Sequence, residues 1–171
     1  PDYVKDQNKD LDDKLYQAAI NIEKNRYVQK YSGTEEHPWF GWYSGTMFDY
    51  KKESQSHWIT EFGAQALPNL ETLKTFIPEE ALFPETDEQW DLWQYHNFQP
   101  HQNFKIAKID QGKDIQAFIE NSQSYQADLV KLAAEAYRRQ PIERVSAIFQ
   151  FMFKEHWPSM NWGIVDYQGV G

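Results

Sequence analysis

The chain has 171 residues, of which 40% are hydrophobic and 16% aromatic, and it contains no cysteine. This content suffices for one packed domain, and it excludes disulfides, thiolate zinc sites and cysteine nucleophiles. The net charge of −9 argues against a nucleic-acid partner because an acidic surface repels phosphate, and no apolar run approaches membrane-spanning length.

The first part of the chain predicts one helix followed by three strands. Residues 26–33 alternate in polarity and end on a glycine, as a strand does. Residues 37–43 predict a second, aromatic strand, although Pro38 argues against a regular central strand. Residues 56–61 predict a third. Residues 11–24 precede them and predict a helix, because apolar side chains recur at helical spacing on one stripe: Leu11, Leu15, Ala18 and Ile22.

The second part predicts two helices and a fourth strand. A short helix opens at Pro68-Asn69 and ends before Pro78. Residues 78–112 predict a long irregular stretch whose aromatic content argues against disorder. Residues 114–140 form the clearest predicted helix. Val145–Met152 predicts a strand that is apolar enough to be buried on both faces. Strands interleaved with helices favour a parallel sheet and an α/β fold.

Glu61 is the candidate catalytic residue. It ends the run His57-Trp58-Ile59-Thr60 and is followed by Phe62-Gly63. A carboxylate at the C-terminal tip of an apolar strand faces the space above the sheet, where barrel enzymes place their chemistry. Gly63 then allows the backbone to turn sharply. The alternative is a surface glutamate at the end of a strand, so the interpretation depends on what else converges on Glu61.

Four stretches of the sequence form an ordered set: Arg26 to Gly33, His37 to Gly45, Ile59 to Pro68, and His156 to Tyr167. In this order and spacing they resemble the second half of the catalytic barrel of glycoside hydrolase family 2, which includes β-galactosidases, β-glucuronidases and β-mannosidases. The last stretch is most similar to the β-mannosidase and exo-β-glucosaminidase branch. The resemblance covers residues 20–171. It implies the C-terminal half of a (β/α)8 TIM barrel, strands five to eight, with residues 1–171 forming a partial catalytic domain of a larger multidomain protein.

The resemblance implies a retaining exo-β-glycosidase that acts by double displacement, with β-mannosides as candidate substrates. Glu61 matches the nucleophile. The acid/base glutamate belongs to an Asn-Glu pair, which this sequence lacks, and is expected just upstream of Pro1. We therefore expect the isolated chain to be inactive. No cofactor is implied because two carboxylates suffice for the chemistry, and the five histidines are too scattered for a metal site.

Four further residues are candidate substrate contacts by resemblance. Trp157 matches a tryptophan that forms the floor under the sugar, although core packing is the ordinary role of a tryptophan. His37 matches a position where relatives carry His or Asn facing the sugar. Trp39 replaces a tyrosine that hydrogen-bonds the nucleophile in many members, and an indole can donate but never accept. Glu155 retains the acid of a segment near the glycone. Tyr43 is assigned to the core.

The expected partners are an oligosaccharide or glycoside substrate, the remainder of the barrel, and accessory β-sandwich domains upstream. Nucleic acid and membrane are not expected partners. A competing hypothesis is a non-catalytic carbohydrate-binding module, whose aromatic platforms would have the same composition. A third is a segment with a purely structural or interaction role.

Overall fold

The computed structural model describes residues 6–31, 33 and 35–171, and this part of the chain is mainly helical with one small sheet. The helices and strands, in chain order, are α1 (Asp6–Ile22), β1 (Trp58–Ile59), α2 (Leu70–Leu73), α3 (Asp87–Tyr95), α4 (Ile115–Arg138) and β2 (Ala147–Ile148). Two 3₁₀ turns and one π-helical segment lie between them: Met47–Lys51, Glu79–Ala81 and Gln102–Ile106.

Strands β1 and β2 are parallel and directly hydrogen-bonded. Trp58 pairs with Ala147 and Ile59 with Ile148. The pairing continues beyond the regular strands, since the Phe151 N–H donates to the Phe62 carbonyl at 2.9 Å. Because parallel neighbours need a long crossover, the helices between them make this a β–α–β unit. The chain segments that leave β1 and β2 therefore emerge at the same edge of the sheet.

The core is built around α4. Asp114 caps the helix by accepting a hydrogen bond from the Ala117 N–H at 2.9 Å. The buried face of α4 contacts an aromatic cluster from several connecting segments, whose rings meet mostly edge to face. Members of this core include Trp42, Tyr50, Phe62, Trp93, Phe98, Phe118 and Tyr137. Burying such large rings supplies much of the hydrophobic stabilisation available to a chain of this size.

The predicted helices and two of the predicted strands are confirmed in position. The helix predicted at 11–24 begins earlier, and α2 and α4 lie where the sequence indicated. The strands predicted at 56–61 and 145–152 are present as β1 and β2, each reduced to two regular residues.

The strands predicted at 26–33 and 37–43 are wrong. Among the described residues, 26–31 contain no strand. From residue 37 the chain folds into tight turns, in which the Trp39 carbonyl accepts from the N–H groups of Trp42 and Tyr43. A strand requires a neighbour that pairs its backbone. Between residues 37 and 44 the backbone N–H groups pair locally instead. Among the described residues, the α/β expectation is therefore met only by the β1–β2 unit.

Three further features differ from what the sequence patterns indicate. Residues 78–112 are not irregular, because they contain α3, which starts with a capping box between Thr86 and Gln89. The apolar stripe of α1 does not face the core, since Leu11 is 58% and Ile22 88% exposed. Residues of β2 are only half-buried rather than buried on both faces. The apolar side chains of α1 and β2 therefore lack some of the packing partners that their hydrophobic patterns predict.

Candidate active site

Glu61 lies two residues beyond the end of β1, at the edge of the sheet where both strands exit. Its side chain is 34% exposed, so solvent reaches the carboxylate. The Glu36 carbonyl accepts hydrogen bonds from the Thr60 N–H at 2.9 Å and the Glu61 N–H at 3.3 Å. These bonds attach the segment around residue 36 to the backbone that carries the carboxylate.

His37 is the predicted site residue that the structure brings next to Glu61. The imidazole Nδ1 lies 3.8 Å from Glu61 Oε2, and the His37 side chain is 21% exposed. This separation is within the reach of an ion pair and about 1 Å longer than a hydrogen bond. The histidine therefore faces the carboxylate, and it also lines the neighbouring cavity.

Trp39 lies among aromatic rings at the same edge of the sheet. Its ring centroid is 5.5 Å from that of Tyr43, 5.8 Å from Phe151 and 5.9 Å from Trp162. Gly63 permits this packing, because a Cβ atom there would collide with the Phe151 carbonyl and approach the Trp39 ring. The two strand exits are thus packed closely beneath the indole.

Tyr43 was assigned to the core by the sequence, and the structure corrects that assignment because the residue is exposed. Its hydroxyl accepts a hydrogen bond from Gln99 Nε2 at 3.1 Å, and Gln99 Oε1 accepts from Trp42 Nε1 at 3.1 Å. Burial of the hydroxyl raises the pKa of Tyr43, and the negative charge of Glu61 raises it further. The phenol therefore lies within the electrostatic field of the Glu61 carboxylate.

A cavity of about 810 Å³ is lined in part by His37, Trp39 and Tyr43. Its lining also includes Phe40, Tyr137, Asp49, Lys52 and Glu53. Four aromatic side chains together with polar and charged groups suit a sugar ring, which stacks through its C–H face and hydrogen-bonds through its hydroxyls.

Trp157 lies in a second aromatic group, formed with the end of α3. Its ring stacks on His96 at 5.8 Å and 22°, and it meets Tyr95 edge-on at 6.3 Å. His96 Nδ1 is 2.8 Å from the Pro158 carbonyl, which fixes the histidine against the segment that carries Trp157. Trp157 is partly exposed, as a platform must be.

Glu155 is buried away from the large cavity. It is 5% exposed, and Oε1 accepts from the Gly163 N–H at 2.5 Å while Oε2 accepts from Ser159 Oγ at 3.3 Å. Burial raises the pKa of Glu155, and these hydrogen bonds act in the opposite direction. The structure therefore does not bring Glu155 together with the His37–Glu61 pair.

Two residues of this site were missed by the sequence reasoning, namely Tyr43 as a polar group and Gln99 as its partner. Tyr43 had a usable signal, since it adjoins the aromatic run that contains His37 and Trp39. Gln99 had no usable signal, because only the fold brings it from the segment after α3 to the segment after residue 40.

In the described part of the chain there is no cluster of His, Asp and Glu suited to a metal ion. Across residues 6–31, 33 and 35–171, no helix is long and apolar enough to cross a membrane.

Comparison with known proteins found no family model that matches the chain, but it found similar individual proteins. It is 24% identical over 141 residues to β-mannosidase B of Aspergillus flavus and 25% identical over 141 residues to that of Emericella nidulans. Each match covers 77% of this chain and 16% of the relative. The crystal structure of a β-D-mannosidase from Dictyoglomus thermophilum matches with a TM-score of 0.60 and 25% identity, covering 77% of this chain and 16% of that one.

The chain spans about one sixth of the length of these relatives, so it corresponds to a limited part of a much larger protein in each case. The sequence and structural matches name the same kind of enzyme. Together they support, at distant identity, the resemblance to the β-mannosidases of glycoside hydrolase family 2.

Proposed function

We propose that this chain supplies the nucleophile half of a retaining exo-β-glycosidase, with terminal β-mannosides as the first substrates to test. The observation that carries the proposal is the partly exposed Glu61 carboxylate at the exit of a parallel strand, 3.8 Å from His37, which itself lines a cavity with several aromatic side chains. The relationship to β-mannosidases supports the choice of sugar.

In this proposal Glu61 attacks the anomeric carbon of the bound sugar. A glycosyl ester forms at a carboxylate oxygen while the bond to the leaving oxygen breaks, and the acid/base glutamate protonates that oxygen. The same glutamate then activates a water molecule that hydrolyses the ester, and net retention follows from the two inversions. The sequence contains no Asn-Glu pair, so the second glutamate is assigned to another part of a longer protein.

The proposed frame is the C-terminal half of a (β/α)8 barrel, with residues 1–171 as a partial catalytic domain. The β1–α–β2 unit supports this proposal, because its parallel strands and helical crossover are the repeating element of such a barrel. Both strand exits lie at the edge where barrel enzymes hold their catalytic groups. The other strands and the accessory β-sandwich domains are proposed partners within the longer protein.

The proposed sugar contacts fall into two groups. Trp39 lines the large cavity, and Trp157, in the second aromatic group, offers a partly exposed ring that could lie under the sugar. Glu155 remains a candidate contact, but its burial favours an indirect role through the segment around Ser159 and Gly163.

Covalent trapping tests the proposal. The full-length protein is incubated with 2,4-dinitrophenyl 2-deoxy-2-fluoro-β-mannoside, whose leaving group needs no protonation, and its peptides are mapped by mass spectrometry. We expect one added fluoroglycosyl group on Glu61, and no label on the Glu61→Gln variant. Glu120→Gln is the matched control, because Glu120 is an exposed carboxylate on α4 that does not line the cavity, and the variant should label like the parent. Sugar binding without any covalent label would favour the carbohydrate-binding module instead.

A further inference from the structure

His37 is connected to Glu61 through the backbone as well as through its side chain. The residue before it, Glu36, accepts the N–H groups of both Thr60 and Glu61 on its carbonyl. The residue after it is the buried Pro38, and a proline restricts the backbone of the residue that precedes it. The backbone of His37 is therefore restrained on both sides relative to the strand exit that carries the carboxylate.

The side-chain geometry points the same way. Nδ1 of His37 is 3.8 Å from Oε2 of Glu61, and both side chains are only partly exposed, so water screens their interaction less than at an open surface. Contacts of this kind are often long in an empty site and shorten when substrate binds. Tyr43, which is also within the field of Glu61, is held separately by Gln99.

We propose that His37 is a positioning residue for the Glu61 carboxylate, an inference that rests on Glu61 being the nucleophile. Its ring nitrogen holds the carboxylate in the orientation from which an oxygen meets the anomeric carbon. This differs from the expected role of His37 as a contact to the sugar. A sugar contact strengthens binding of the substrate, whereas a positioning residue accelerates the attack itself.

The inactivation kinetics of the 2-deoxy-2-fluoro-β-mannoside separate the two roles, because they yield a dissociation constant and a rate constant for ester formation. In full-length His37→Ala we expect the rate constant to fall about 10- to 100-fold, the range associated with losing a hydrogen bond to a charged group. The dissociation constant should change by less than about 3-fold, because the sugar contacts remain. His37→Asn retains an N–H donor and should recover most of the rate.

His57→Ala is the matched control, since His57 is exposed and lies before β1, at the opposite end of the strand. It should leave both constants unchanged. A weaker dissociation constant with an unchanged rate constant in His37→Ala would overturn the inference in favour of a sugar contact. Unchanged values for both constants would overturn it as well. Failure of the parent protein to label at Glu61 is a separate result, which would overturn the proposed function.

Discussion

At the scale of single residues, Glu155 is a buried carboxylate held by groups of its own chain segment. Its two oxygens accept from the Gly163 N–H and from the Ser159 hydroxyl inside the protein. Asn161 extends the same network by donating to Ser159 Oγ at 2.7 Å. The carboxylate therefore holds the turn formed by residues 155–163 together by binding a side chain in its middle and the backbone at its far end. Burying its negative charge costs electrostatic free energy.

The pKa of Glu155 predicts a pH-dependent stability. Because burial raises its pKa in the folded protein, the stabilising contribution of the protonated form is complete below the unfolded pKa of about 4.3 and is lost as the pH rises through the folded value. Glu155→Gln removes this titration and should flatten the dependence of the melting temperature on pH above about 4.3.

Thermal unfolding of the parent and variant across mildly acidic to neutral pH tests this expectation. Glu120→Gln is the matched control, because Glu120 is an exposed carboxylate on α4 and its replacement should leave the pH dependence as in the parent. If Glu155→Gln retains the full pH dependence of the parent, the titrating group lies elsewhere.

The residues of the candidate site that carry a signal in their own stretch of sequence could be predicted. Glu61 could be singled out from its own strand, and His37 from the aromatic run that contains it. The pairing of the two could not, because it depends on a carbonyl 25 positions away accepting from the backbone of Glu61. The inward orientation of Glu155 was equally inaccessible, since Ser159 and Gly163 become its partners only through the turn that they form.

At the scale of elements, the core is built around α4, and the cap at its N-terminus predicts the effect of two substitutions on stability. The Asp114 side chain accepts from the Ala117 N–H at 2.9 Å and satisfies one of the free donors of the first turn. Asp114→Ala should lower the free energy of unfolding by about 1 kcal/mol. Asp114→Ser keeps an acceptor and should lose much less, as measured by chemical denaturation. Equal losses in the two variants would show that capping is not the cause.

Gln126 of α4 connects the segment that follows β1 to residues 162–163 through one amide group. Its Nε2 donates to the carbonyls of Ala64 at 2.9 Å, Gly163 at 3.2 Å and Trp162 at 3.3 Å. Gln126→Leu keeps the approximate volume but leaves buried carbonyls without a donor, so we expect the free energy of unfolding to fall by about 1–3 kcal/mol. Gln116→Leu, an exposed site on the same helix, is the control and should be close to neutral. A neutral Gln126→Leu would mean that water replaces the amide.

Helices were easier to predict from this sequence than strands, for a physical reason. The hydrogen bonds of α4 are internal, and its cap and terminating Pro141 are close in the chain, so the pattern contains what is needed. A strand depends on a partner elsewhere. Residues 56–61 pair with residues 145–152. The segment at 37–43 instead makes its backbone hydrogen bonds within tight turns. The same dependence explains why β1 and β2 have only two regular residues each.

At the scale of the whole molecule, apolar side chains are exposed next to the sheet. Trp58 on β1 and Phe149 beside β2 are 50% and 53% exposed, and Phe153 follows on the same segment at 71%. In the described residues the sheet has only two strands, so each strand also has an edge with unpaired backbone groups. Such edges and patches promote association with other chains. In the proposed barrel, the remaining strands would cover both.

The 171-residue chain produced alone should therefore self-associate and fail to hydrolyse 4-nitrophenyl β-mannoside. The catalytic reason is that retention needs a second carboxyl about 5–5.5 Å from the first, and the resemblance assigns that glutamate to an Asn-Glu pair that this sequence lacks. Light scattering should detect oligomers of the parent chain, and the Phe149→Lys substitution should reduce the amount of oligomer. Phe48→Lys should not reduce them, because Phe48 is even more exposed, at 62% against 53%, but lies on the 3₁₀ turn Met47–Lys51 rather than beside the sheet. A monomer that turns over substrate would contradict both the barrel and the missing acid.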